Sequence, residues 1–141
     1  MSKLTLDGSI ALSWFLPGES TDQNQVVRKL IEKGITALIP SIWALEVANA
    51  LMNAERRNRI SQADSAAALA SLEKLPIEMD PETGTRAWSD ILALARQQKL
   101  SVYDAVYLEL AMRQGTALAT LDDLLRTAAQ ALKVPLLPET L

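Results

Sequence analysis

Short apolar runs alternate with helical periodicity along this 141-residue chain, and that alternation narrows the fold more than any other feature. Lys3–Leu6, Thr36–Ile39, Ile77–Met79, Ala117–Thr120 and Val134–Leu137 read as short strands. Helical stretches separate them. Ser9–Leu16 runs up to the Pro17-Gly18 turn. Thr21–Lys33 places Val26, Val27, Leu30 and Ile31 on one face and stops at Gly34. Ser41 is expected to cap a long helix to about Asn58. Ser61 and Asp64 have the spacing of a capping box and open an Ala- and Leu-rich helix to Leu75. Pro81 or Glu82 starts another through about Gln98, and Ser101–Gln114 and Asp122–Leu132 follow. Parallel strands need long crossovers, and a helix is the usual one. The alternation therefore predicts an α/β protein, a mainly parallel central sheet with helices on both faces. No repeat, low-complexity stretch or Ser/Gly-rich linker divides the chain, so one domain over residues 1–141 is expected.

Composition limits the chemistry. The chain has no cysteine and no histidine. Disulfides, thiolate nucleophiles, Cys/His zinc sites and histidine-dependent triads are excluded. An enzyme built from it must use carboxylates, hydroxyls, amides, Lys, Arg or Tyr. The longest nearly apolar stretches are about a dozen residues and carry Glu or Asp, too short and too polar to span a bilayer. The amino-terminal residues lack the apolar segment of a secretory signal. A cytoplasmic protein with no membrane association is the expectation.

In doubly wound sheets, sites form where strands end and the chain turns into the next helix. Four carboxylates stand where the apolar pattern does not want them, and three of them, Asp7, Glu46 and Asp122, are at or shortly after such places, with Asp104 at a helix start that can face the same edge. Asp7 ends the first strand. Glu46 interrupts the otherwise apolar start of the Ser41 helix. Asp104 opens the helix before the Ala117 strand, and Asp122 follows that strand. Crowded carboxylates repel, and burial raises the cost of each charge. A cluster of them is tolerable when a hard divalent cation neutralises it, and Mg²⁺ or Mn²⁺ suits an all-oxygen donor set. Such a cation stabilises charge on phosphoryl oxygens and acidifies water, so phosphodiester hydrolysis is the natural chemistry.

Each residue also has a plainer role. Asp7 can be a helix N-cap. Asp104 completes a capping-box pattern with Ser101, as Asp123 does with Thr120, so Asp122 is assigned as the ligand and Asp123 at most as a supporting group. Glu46 can sit in a buried salt bridge. Asn49, one turn on, can hydrogen-bond Glu46 or a substrate phosphate, or serve helix packing. Ser9 and Thr120 read as caps that also orient their neighbours. With every acid in such a role, the chain is a non-catalytic binding or scaffold domain.

The order of these motifs resembles the PIN-domain nucleases, most closely the VapC-like toxins of toxin–antitoxin pairs. The resemblance spans essentially the whole chain. It rests on Leu6, Asp7, Gly8 and Ser9 followed by Trp14 and Phe15, and on Pro40 and Ser41 with Glu46, Asn49, Ala50 and Leu51. It continues with Tyr103, Asp104 and Ala105 with Leu108 and Ala111, then Thr120, Leu121 and Asp122 with Leu125, Ala128 and Ala129. Gly8 stands where Ala is more usual, with no consequence expected. The resemblance implies an α/β/α sandwich and a Mg²⁺- or Mn²⁺-dependent endoribonuclease. Its metal ligands carry over onto Asp7, Glu46, Asp104 and Asp122, with Ser9, Asn49 and Thr120 in support. It further implies a homodimer, a cognate antitoxin protein and a structured RNA substrate. Another Mg²⁺-dependent phosphoryl-transfer domain fits less well: dehalogenase-like phosphatases carry a second Asp where Ser9 stands, and receiver domains need an acidic pair ahead of the strand Asp.

The net charge of −3 looks unfavourable to RNA binding. Without the four proposed ligands, 13 of the 17 acids remain, one fewer than the 14 Lys and Arg. Arg56, Arg57, Arg59, Arg86 and Arg126 are candidate RNA-backbone contacts. The Arg56–Arg59 cluster can equally be a solvated helix end on the favourable side of the dipole. The six aromatic residues are expected in the core rather than stacked on bases.

Overall fold

The computed structural model describes all 141 residues and contains a five-stranded, all-parallel sheet in the order β3-β2-β1-β4-β5. The strands are β1 (Lys3–Leu6), β2 (Thr36–Ile39), β3 (Ile77–Met79), β4 (Ala117–Ala119) and β5 (Leu136–Leu137). β1 is central: Leu4 pairs with Ala37 of β2 on one side and with Ala117 of β4 on the other. Leu4, Thr5 and Leu6 are accordingly completely buried, and the one polar side chain among them, Thr5, shares a 2.8 Å hydrogen bond with Thr116. β3 lies at the edge and leaves Glu78 and Met79 exposed.

Helices flank the sheet: α1 (Gly8–Ser13), α2 (Asp22–Glu32), α3 (Trp43–Arg56), α4 (Gln62–Glu73), α5 (Thr83–Arg86), α6 (Leu92–Gln98), α7 (Val102–Gln114) and α8 (Asp123–Ala131). Buried apolar side chains from Leu4 to Leu136 form one continuous core. The result is the expected α/β sandwich. The Ser61–Asp64 capping box is present, and Gly115 closes α7 at φ +64°, where a side chain would be strained.

Two local expectations fail. Ser41 does not cap α3. The helix begins at Trp43 behind an Ile42 already in helical conformation, and the Ser41 N–H donates to the Thr83 hydroxyl instead. The predicted helix from Pro81 or Glu82 to Gln98 is interrupted by a π-helical segment, Ala87–Ile91, between α5 and α6. An inserted π turn keeps a helix-like hydrophobic spacing on either side, so periodicity does not betray it.

The carboxyl-terminal end of α7 is fastened by Arg113. Its guanidinium bonds Asp80 Oδ2 at 2.6 Å, Glu109 Oε1 at 2.8 Å and Glu82 Oε2 at 3.3 Å. Asp80 and Glu109 are buried, so losing their shared cation would strand two charges.

Candidate active site

The order β3-β2-β1-β4-β5 reverses direction at β1, because the chain first builds outward to β3 and then returns to the other side of β1. The crevice at the carboxyl ends of β1 and β4 is the topological switch point of the sheet. Asp7 and Asp122 lie there. The Asp7 N–H continues the ladder by donating to Ala119 O at 2.9 Å, and Asp122 follows β4 by three residues. Glu46 comes from the first turn of α3 and Asp104 from the first turn of α7. The four charges are close enough to act on one another: Asp7 feels Asp104 and Asp122, Glu46 feels Asp7 and Asp104, and Asp104 feels Asp122.

Asp7 occupies the N-cap position of α1 but makes no side-chain cap bond. Its Oδ2 instead accepts from the Ser9 hydroxyl at 2.8 Å and the Thr120 hydroxyl at 2.7 Å. These hydroxyls are tied down in turn, since Ser9 accepts from Leu121 N–H and Thr120 from Asp122 N–H. Burial pushes the Asp7 carboxyl above its ordinary range, the two hydroxyls oppose that shift, and Asp104 and Asp122 add to it.

Glu46 has no salt bridge, which removes the ion-pair explanation of its mid-helix position. Its partner is the hydroxyl of Tyr107, which donates to Oε1. Burial raises the Glu46 carboxyl, the phenol works against that rise, and Asp7 and Asp104 add to it. Asn49 is exposed and bonds neither Glu46 nor any other side chain, so the structure supports neither its predicted link to Glu46 nor a packing role. The Asp104 backbone N–H is capped by Ser101 Oγ at 3.1 Å. The reciprocal bond from the Asp104 carboxylate to the Ser101 N–H is absent, so the predicted box is only half formed. Burial, then Asp122, raise the Asp104 carboxyl, with the Ser101 hydroxyl opposing.

Asp122, not Asp123, is the cap of α8: its Oδ1 accepts from Leu125 N–H at 2.8 Å. Asp123 is exposed, and its predicted box with Thr120 does not form because α8 starts at Asp123 itself, behind Asp122 as the cap. Gly8 fits its expected neutrality, since a methyl there would meet Val47 at 3.7 Å, an ordinary contact.

A common pattern emerges. Asp7, Glu46 and Asp122 each commit one oxygen to the protein and leave the other unbonded, and no Lys or Arg pairs with any of the four acids. An all-oxygen donor set with free monodentate oxygens and no protein cation fits a hard divalent ion. No three of these acids are grouped closely enough in this structure to hold a metal ion as a set; Mg²⁺ typically keeps several of its own waters. The site is an open edge. A cavity of about 500 Å³ lies away from it, at the amino-terminal ends of β1 and β4, between Lys3, Thr116 and Pro135.

The proposed RNA contacts divide. Arg126 is buried and donates to Thr120 O and Pro138 O, both at 2.7 Å, so it tethers the carboxyl-terminal segment and cannot reach a substrate. Arg86 is engaged with Glu82 and Asp90, and Arg59 with Glu19 and Pro17 O. Only Arg56 and Arg57 of the five are exposed without an ion-pair partner. The expectation that all aromatics are core residues also fails: Trp14, Trp43 and Tyr107 are buried, but Trp88 is 92% and Tyr103 64% exposed. Tyr107 is the site residue that sequence inspection missed. An aromatic in an apolar helix looks like core, and its one signal is its place three residues after Asp104, on the same helix face.

Comparisons with known proteins bear on the family and the fold. The PIN domain family model matches residues 4–131. The chain is 28% identical over 133 residues to Ribonuclease VapC3 of Pyrobaculum aerophilum, covering 94% of this chain and 99% of that protein. Among solved structures, it is similar to PAE2754 from Pyrobaculum aerophilum, with a TM-score of 0.68, 21% identity, and coverage of 89% of this chain and 84% of that one. A toxin–antitoxin complex from Klebsiella pneumoniae gives a TM-score of 0.56 at 18% identity, with coverage of 84% and 86%.

Proposed function

Because the chain belongs to the PIN domain family, we propose that its acidic edge is the active site of a divalent-metal-dependent endoribonuclease, the toxin of a toxin–antitoxin pair. The observation that carries this reading is the set of four carboxylates at one sheet edge without a single protein cation among them. A scaffold would use such acids as caps and ion pairs. Here Asp7 makes no cap bond, Glu46 has no ion pair and Asp104 leaves its box open. The resemblance to Ribonuclease VapC3 supports RNA as the substrate, and the structural likeness to a toxin–antitoxin complex is consistent with an antitoxin partner.

Asp7, Glu46, Asp104 and Asp122 would hold Mg²⁺ or Mn²⁺, which when bound supplies charge stabilisation for the phosphoryl oxygens and a more acidic water. The protein's own contribution is orientation. Ser9 and Thr120 aim Asp7, Tyr107 aims Glu46, and Leu125 N–H aims Asp122. Without histidine, the proton of the attacking water passes to a carboxylate, Asp7 or Asp122. Arg56 and Arg57 are the candidates for RNA-backbone contact. A cytoplasmic homodimer is part of the proposed reading. No helix is long and apolar enough to cross a membrane.

Mapping of product ends tests the reaction. Hydrolysis by water leaves a 5′-phosphate, whereas a 2′,3′-cyclic phosphate would mean attack by the RNA 2′-hydroxyl and would sink this mechanism. Calorimetry with Mn²⁺ tests the site, and silence at millimolar concentration would return the chain to the scaffold class.

A further inference from the structure

We propose that Tyr107 is a positioning residue for Glu46: its hydroxyl fixes one carboxylate oxygen and leaves the other directed to the acidic edge. This inference rests on the reading of that edge as a cation site.

The argument begins with how little else holds Glu46. No Lys or Arg pairs with it, no backbone N–H reaches it, and the Tyr107 hydroxyl is its one hydrogen-bond partner. Glutamate is the longest of the four acids and has the most rotamer freedom to lose. Of its neighbours in the first turns of α3, Val47 is buried and apolar, and the buried Trp43 indole N–H makes no hydrogen bond to Glu46 or to any other group. Tyr107 has the opposite character. It is 1% exposed, so packing fixes the ring and therefore places the hydroxyl. A phenol is protonated at neutral pH, so the hydroxyl is a donor to the carboxylate. The arrangement repeats the one at Asp7, where Ser9 and Thr120 hold a single oxygen. Outer partners of this kind set the orientation of metal-binding carboxylates, and their loss typically costs about 10–100-fold in metal affinity or activity.

A purely structural role is the competing account, in which the phenol only satisfies a half-buried carboxylate. Tyr107→Phe keeps the ring and removes the hydroxyl. Calorimetric titration with Mn²⁺ should show affinity weakened about 10-fold or more, with kcat lowered more than KM. In a Glu46→Gln background the same change should alter Mn²⁺ affinity by less than about twofold, because the two residues act as one unit. A lowered melting temperature with unchanged Mn²⁺ affinity would overturn the proposal and leave Tyr107 a stability residue. If wild-type protein binds no Mn²⁺, the cation reading itself fails, and this inference with it. Should Tyr107→Phe not fold, 3-fluorotyrosine labelling of the wild-type sequence gives a second test. Only Tyr103 and Tyr107 are labelled, Tyr103→Phe assigns the two resonances, and the Tyr107 fluorine signal should shift on Mg²⁺ titration. A Tyr107 signal indifferent to Mg²⁺ would overturn the proposal.

Discussion

Two helices in this protein open with the same four-residue pattern and end in opposite states. At α4, Ser61 accepts from Asp64 N–H at 3.1 Å and Asp64 Oδ2 accepts from Ser61 N–H at 2.9 Å, closing the box. At α7, Ser101 accepts from Asp104 N–H at the same 3.1 Å, but the carboxylate does not return the bond. Asp64 is exposed, and the hydrogen bonds from Ser61 hold its carboxyl below the ordinary range. Asp104 is half-buried beside other acids, and its carboxyl is raised. The motif fixes where each helix starts. The surroundings decide whether the acid is spent on the cap or kept for something else.

The comparison is broken most sharply by activity. Asp104→Asn should reduce RNA cleavage by about 100-fold or more, since several kcal/mol of charge stabilisation depend on the site, whereas Asp64→Asn should leave cleavage unchanged. Initial rates on one RNA decide it; an active Asp104→Asn enzyme would return Asp104 to a capping role.

Metal-dependent stability comes next. Mn²⁺ at about 100 times its dissociation constant should stabilise wild type and Asp64→Asn by about 2.7 kcal/mol. Most of that gain should be missing from Asp104→Asn in parallel thermal melts.

The serines should behave alike in metal-free protein. Ser61→Ala and Ser101→Ala each remove one helix cap and should each cost about 1 kcal/mol in denaturant unfolding. A much larger loss at Ser101 would mean that the hydroxyl does more than cap.

The smallest effect is in pH dependence, and its sign differs between the two acids. Asp64 has a lowered pKa, so its stabilising contribution is present above the ordinary carboxylate range and disappears as pH falls through the folded value. Asp104 has a raised pKa, so its contribution is favourable only at low pH and is lost as pH rises through the folded value. Without metal, Asp104→Asn should therefore raise the melting temperature at neutral pH and lose that advantage in acid, while Asp64→Asn should lower it at neutral pH.

Much of the fold was legible because strand and helix leave different periods. All five strands were found, with β4 and β5 shorter than expected. β5 loses Val134 and Pro135: proline has no N–H to donate to the ladder, although its carbonyl still accepts from Leu118 N–H at 2.8 Å, and the Val134 N–H bonds back to Ala129 O. Ser41 misled because a serine before an apolar helix is usually a cap, and only the folded chain brings Thr83 to its N–H. The four acids were legible because each breaks an apolar pattern at a strand end or helix start. Their partners were less so. Thr120 and Asp7 are 113 residues apart, and Glu46 and Tyr107 are 61 apart. The arginines failed for the same reason: the residues that occupy Arg126 and Arg86 are settled by tertiary contacts, which charge counting does not see.

The attachment of α7 carries a further consequence. One rigid rod bears Asp104 directly and grips Glu46 through Tyr107, while Arg113 bolts its far end to the chain just after β3. The four acids therefore do not have four independent degrees of freedom. Turning or sliding α7 moves Asp104 and the hydroxyl that holds Glu46, whose backbone belongs to α3, whereas Asp7 and Asp122 stay with the sheet. The acidic edge thus has three supports, the strand ends with Asp7 and Asp122, α3 with Glu46 and α7 with Asp104, and one hydrogen bond couples the two helices.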